Sequence, residues 1–172
     1  YFVGLAGTAQ SFITIVDTAV GTSPNLISVQ GTAVTDRYRL QSSNFASLSN
    51  TGTVLAQVNY AGSGFNGEIE FHGQDANDAF EVNGVSVTTR ILGEAGDDTV
   101  NVGDNVATLG DGAGSLNQVL ALLSIDGGTG TSDKVNLDDG GDTAGNTGTL
   151  TDVRVSGLSA GNIDYANIEA LA

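Results

Sequence analysis

The run Thr89-Arg90-Ile91-Leu92-Gly93-Glu94-Ala95-Gly96-Asp97-Asp98-Thr99-Val100-Asn101-Val102 decides the reading of the fold. On either side of its centre, residues alternate with period two, so each flank reads as a half-buried strand. Thr89 and Ile91 fall on one face of the first strand, Val100 and Val102 on one face of the second. The Gly93-to-Asp98 stretch between them is a bend. Glycines admit left-handed backbone there, and an aspartate closes the turn.

The same pattern recurs in ISVQGTAVTDRYRL (27–40), IEFHGQDANDAFEV (69–82) and LSIDGGTGTSDKVNL (123–137). Gly31 to Asp36, Gly73 to Asp78 and Gly93 to Asp98 are each five apart, and Gly127 to Asp133 is six. Aligned on these glycines, the inward columns are Ile27/Ile69/Thr89/Leu123 and Val29/Phe71/Ile91/Ile125 before the bend. After it come Tyr38/Phe80/Val100/Val135 and Leu40/Val82/Val102/Leu137. Internal repetition at this spacing is the mark of a stacked architecture.

The aspartates are separated by 42, 20 and 35 residues. A step of 20 is about one coil of a parallel β-solenoid. The step of 42 reads as two coils, with Val58, Tyr60 and Gly62 on the intervening strand; the step of 35 reads as one coil with an insertion. Within that insertion Ser115 and Gln118 have capping-box spacing, so a short helix or a strand leading to Ile125 is expected. The tail reads as a fifth coil, with Val153, Val155 and Gly157 in its first half and Ile163 and Tyr165 in its second. Residues 1–24 fit no coil and form an N-terminal strand or cap whose core is FITIV (12–16), leaving 25–172 as the solenoid of a single domain. Polar clusters at 42–52 and 140–148 read as surface loops. The expected class is all-β, a parallel β-solenoid of about five coils, with a β-sandwich as the alternative.

Charge narrows the partners. The chain carries 20 acidic residues against 5 basic ones, for a net charge of −15, and Asp outnumbers Glu 15 to 5. A surface of that sign repels nucleic acid and attracts divalent cations. Short carboxylates set in turns suit oxygen-ligand cation sites. Hydrophobic residues make up 40% of the chain, which separates it from disordered acidic tails. The sequence contains no cysteine; a secreted animal domain would often carry disulfides, so a bacterial or archaeal outer-surface source is expected. No stretch resembles a transmembrane span, so no membrane insertion is expected.

Residues 93–101 fit the nonapeptide G-G-x-G-x-D-x-U-x with one departure, Glu94 for the second glycine. In this motif the chain resembles the calcium-binding RTX (repeats-in-toxin) family and the longer-period β-helical repeats of large bacterial surface proteins. The resemblance implies a right-handed parallel β-roll or β-helix stapled by Ca²⁺. It makes Asp98 the side-chain ligand, with carbonyls of Gly93 and Ala95, and puts Asp78 and Asp133 in the same slot of neighbouring turns. Asp97 and Asp75 are further acidic candidates in these bends. Departures from the family pattern are Gln74 and Ala76 in place of glycines, the extra residue in the fourth turn, and Thr32 and Val34 in the first. The competing reading makes each Asp a cap for backbone N–H groups, and for Asp36 capping is the preferred one. The acidic trio Asp138, Asp139 and Asp142 matches no EF-hand spacing.

Two motifs are set aside. Gly62-Ser63-Gly64-Phe65-Asn66-Gly67 has dinucleotide-loop spacing, but a strand follows where a helix is needed. His72 is the single histidine and, with no cysteine, forms neither a zinc set nor a Cys–His pair. The expected function is therefore non-catalytic: a calcium-stabilised structural module of an extracellular or cell-surface protein such as an adhesin, surface layer or matrix fibre. Its expected partners are itself or like modules, joined end to end. A polysaccharide-active enzyme or glycan-binding module is the alternative, which a groove gathering Arg90, Lys134 and a carboxylate would favour.

Overall fold

A computed structural model of the chain describes residues 1–5, 11–15, 25–60, 65–103 and 113–172. Those residues form sixteen strands in two eight-stranded sheets and no helix, so the class is all-β. Five strand–bend–strand units set the frame. They are β3 (Leu26–Gln30) with β4 (Arg37–Gln41), β7 (Glu68–His72) with β8 (Ala79–Val82), β9 (Thr89–Leu92) with β10 (Thr99–Val102), β11 (Leu123–Asp126) with β12 (Lys134–Leu137), and β15 (Ile163–Ala166) with β16 (Ala170–Leu171). The first member of each unit lies in one sheet, the second in the other, and neighbouring units pair parallel.

The register follows the repeat alignment residue for residue. Ile27, Ile69, Thr89 and Leu123 are successive Cα partners and Ile163 extends their column; Val29, Phe71, Ile91 and Ile125 are likewise extended by Tyr165. Across the bend, Tyr38, Phe80, Val100 and Val135 pair in turn and Leu171 follows. These columns are the core. Ile27, Val29, Phe71, Phe80, Val82, Ile91, Val102, Leu123 and Val135 are completely buried. Each such side chain contributes about 1.5–3 kcal/mol of burial free energy, and a one-residue slip would turn every one of them outward.

Several expectations are corrected. Among the described residues no intervening coil separates β4 from β7. β5 (Asn44–Leu48) turns back antiparallel on β4, and β6 (Val54–Asn59) turns back on β5, so the 42-residue step is one unit with a hairpin spliced into its second sheet. The polar run 42–52 thus contains a strand, β5, on which Phe45, Ala46 and Leu48 are buried. The tail departs from a fifth coil in the same way. Val155 sits on β14 (Arg154–Ser156), which pairs antiparallel with β13 (Thr149–Leu150) and with β15. The last parallel unit is therefore β15–β16, and Val153–Gly157 is no half-coil. No helix forms at Ser115. Its hydroxyl accepts the Asn117 N–H, and Leu116 and Val119 are buried in a turn that bridges to Val85. The run 12–16 appears as β2 (Ser11–Thr14), parallel to β6, while β1 (Phe2–Gly4) lies parallel to β3. Val16, Pro24 and Gly62–Gly64 fall outside the described residues.

Candidate functional site: the aspartate column

The bends stack as the strands do. Each glycine N–H continues the first sheet: Gly31 donates to His72 O, Gly73 to Leu92 O, Gly93 to Asp126 O and Gly127 to Ala166 O. No side chain fits at this slot. A Cβ on Gly93 would fall within 2.5 Å of both Asp98 Oδ2 and Gly127 O, and one on Gly73 would meet Asp78 Oδ2 and Gly93 O at 2.5 Å. Beside Gly31, Gly73 and Gly93 lies an oxygen pair, made of the turn's own carboxylate and the next unit's glycine carbonyl; at Gly127 the next unit's carbonyl is that of Asn167. The Gly93 carbonyl therefore stands beside Asp78, and Gly127 supplies the carbonyl beside Asp98.

The acids form a continuous ladder. Asp36 N–H donates to Asp78 Oδ1, Asp78 N–H to Asp98 Oδ1, Asp98 N–H to Asp133 Oδ1 and Asp133 N–H to Glu169 Oε2, each at 2.7 Å. One carboxylate oxygen per turn thus caps the turn before it, which is the capping reading. The other oxygen is not used that way. Asp78, Asp98 and Asp133 are only 2%, 3% and 1% exposed, and Oδ2 of each is buried without a hydrogen-bond partner. At Asp36, by contrast, Oδ2 accepts the Thr32 N–H at 2.6 Å and its hydroxyl at 3.0 Å.

Burial dominates the titration of these groups. It pushes Asp78 up to about 7, against the lowering effect of the Asp36 N–H and with added repulsion from Asp98 and Asp36. Burial likewise raises Asp98 to about 6, opposed by the Asp78 N–H and reinforced by Asp133 and Asp97. Asp133 moves in the same direction for the same reason. A buried, unpartnered carboxylate oxygen is costly, and binding a proton or a cation relieves it.

Glu169 was hidden from the sequence reading because its bend is shorter and carries no Asp. The signal was positional, since Glu169 precedes Ala170 as Asp133 precedes Lys134, and those two followers are register partners. Asp97 lies beside the column rather than in it. Its Oδ1 accepts the Thr131 N–H at 2.9 Å, and its own N–H donates to Asn77 Oδ1 at 2.9 Å. Asp75 is exposed on its turn, and the Ala95 N–H donates to Gln74 O at 2.8 Å. Among the described residues no three His, Cys, Asp or Glu side chains converge on one point. The trio Asp138, Asp139 and Asp142 caps loop N–H groups of Gly140, Leu116 and Ala144.

The departures from the glycine pattern have a backbone consequence. Gln74, Ala76 and Glu94 hold φ of 74°, 77° and 72°. An L-residue in that region loses about 1–2 kcal/mol. Ala76→Gly is expected to raise the melting temperature by roughly 2–4 °C, the equivalent of up to about 1 kcal/mol after the unfolded-state entropy of glycine is counted. A thermal melt that falls instead would remove strain from the account.

Outside the column, His72 is held between Glu94 and Glu70 at 2.7 and 2.8 Å. Burial lowers its pKa, but the hydrogen bonds to Glu94 and Glu70 outweigh it and the net direction is up. Arg90 and Arg154 border one groove with Asp126 and Asp164, while Lys134 starts a strand of the other sheet. Both arginines are already paired, Arg90 with Glu70 at 2.6 Å and Arg154 with Asp164 at 2.5 Å. No helix among the described residues is long and apolar enough to cross a membrane. No protein-family model, curated protein or solved structure matches this chain.

Proposed function

We propose that the chain is a non-catalytic structural module of an extracellular or cell-surface bacterial protein, a parallel β-solenoid stiffened by calcium and joined to copies of itself or to like modules. The observation that carries this reading is the aspartate column. Three buried carboxylate oxygens without hydrogen-bond partners, one per turn, with a glycine carbonyl beside those of Asp78 and Asp98, are hard oxygen donors in a chain of net charge −15. Ca²⁺ accepts carboxylate and carbonyl ligands in flexible geometry, and it neutralises the charge that burial disfavours. Asp78, Asp98 and Asp133 would hold the ions, with glycine carbonyls and water completing the shell. Five units with matched parallel registers and short bends support the solenoid over a sandwich, because the chain changes sheet at every bend. The arginine groove favours catalysis and glycan binding less, since its guanidinium groups are engaged within the chain.

Calcium titration followed by thermal melting tests the proposal. The melting temperature is expected to rise with calcium and to fall on chelation. Asp98→Ala is expected to weaken that response more than Asp36→Ala, whose Oδ2 is already satisfied by Thr32. A melt indifferent to calcium, or an equal response in both variants, would remove calcium from the function.

A further inference from the structure

The two sheets end at different levels, and the mismatch at one end is the complement of that at the other. Among the described residues, beyond the first unit, β3–β4, one sheet continues by a single strand, β1, and the other by three, β5, β6 and β2. Among the described residues, beyond the last unit, β15–β16, the first sheet continues by two strands, β14 and β13, and the second by none. Each end therefore has a two-strand overhang, on opposite sheets. Strand direction is also preserved. Each spliced hairpin adds two antiparallel pairings, so β2 runs parallel to β4 and β13 runs parallel to β15.

We infer that a second copy of this chain docks head to tail in a lap joint, its β2 pairing parallel with β16 and its β1 with β13, so that both sheets run on through the joint. The inference deepens the structural-module reading and rests on it. The notch under the β13–β14 overhang is an apolar groove of about 270 Å³ lined by Leu137, Leu150, Val155, Leu158 and Leu171. What would enter it is the neighbour's β2. Ile13 is in register with the buried Val58, so it lies on the inner face, yet it is 40% exposed because nothing among the described residues covers that edge. Leu150 is in register with the buried Val155 and is 64% exposed for the same reason. Solitary proteins blunt edge strands with charge or proline. None of the 20 acidic or 5 basic residues lies on β1, β2, β13 or β16, and neither does the single proline. Strand addition at such an edge supplies main-chain hydrogen bonds, and inward side chains supply fit. The contact is heterologous and does not close on itself, so it propagates as a filament.

Mixing of end-blocked variants tests the joint. Ile13→Lys blocks one end, and Leu150→Lys blocks the other. Thr14→Pro gives a second block at the first end, because the Ile15 N–H bonds β6 and strand alternation turns the Thr14 N–H toward the open edge. By sedimentation, the unmodified chain is expected to form oligomers whose length grows with concentration, and each variant alone to stay monomeric with an unchanged melt. An equimolar mixture of the two ends' variants is expected to yield dimers and nothing longer. An unmodified chain that stays monomeric at high concentration, oligomers that stop at two, or a mixture that stays monomeric would overturn the joint. Calcium-dependent melting of the same samples is scored separately. Its presence without oligomers leaves the calcium reading and removes the joint, and oligomers without it do the reverse.

Discussion

Gly93→Ala is expected to destabilise the chain by on the order of 3 kcal/mol or more, roughly 6–12 °C in melting temperature, while Gly145→Ala leaves it nearly unchanged. The Gly93 backbone is not left-handed, so the cost is steric. The added Cβ would fall within 2.5 Å of Asp98 Oδ2 on one side and of the Gly127 carbonyl on the other. Gly127 is held by its own N–H bond to Ala166 O, and Asp98 by the Asp78 N–H and by its own N–H bond to Asp133. Relief on either side therefore breaks a hydrogen bond in a neighbouring unit. At Gly145 nothing lies within 4 Å of the new carbon, so the pair of variants isolates crowding from the general effect of removing a glycine. Circular-dichroism melts of the two suffice, and similar shifts in both would mean that the bends do not stack as described.

The two hairpins mark the limit of what sequence reasoning reached. Columns such as Val29/Phe71/Ile91/Ile125 were legible because period-two burial and a fixed glycine-to-acid interval constrain register from both sides of the bend. The splices had no such pair of anchors. β5 reads NFASL, with four consecutive buried residues and no clean alternation, and it is flanked by Ser, Asn and Thr that resemble loop composition. β14 offers only three residues, and Val153 beside it, which looks like a core position by alternation, is exposed. In the column, Asp78, Asp98 and Asp133 were identifiable by spacing alone. Their relation to each other was not, because each carboxylate serves the backbone of the preceding unit and lies 20 to 42 residues from it. Glu169 escaped for a related reason: its longer side chain reaches the Asp133 N–H from a shorter bend.

Asp98→Asn separates the two ways of relieving the buried oxygen, and its sign is expected to reverse with calcium. The amide keeps an oxygen to accept the Asp78 N–H at the Oδ1 position. At the Oδ2 position it replaces an unpartnered anionic oxygen with a neutral donor close to the Gly127 carbonyl. In chelator the wild-type carboxylate must be buried either charged or protonated. Its folded pKa, about 6 against an ordinary 3.8, means that folding favours the acid form. The associated stability is fully present below the unfolded value and is lost as pH rises through the folded one. Chelated wild type is therefore expected to melt higher at pH 4 than at pH 8, with Asp78, raised to about 7, adding in the same direction. The neutral amide carries no such penalty, so at pH 8 in chelator the variant is expected to match or exceed wild type. In saturating calcium the order inverts, because the amide oxygen already engaged by Asp78 leaves no carboxylate for the ion. A loss on the order of 2–3 kcal/mol is expected there, the scale of leaving one buried polar site unsatisfied. Asp98→Ala, which also strips the Asp78 N–H of its acceptor, is expected to lose stability in both conditions. A variant that gains stability with and without calcium would assign the column to proton binding and capping alone.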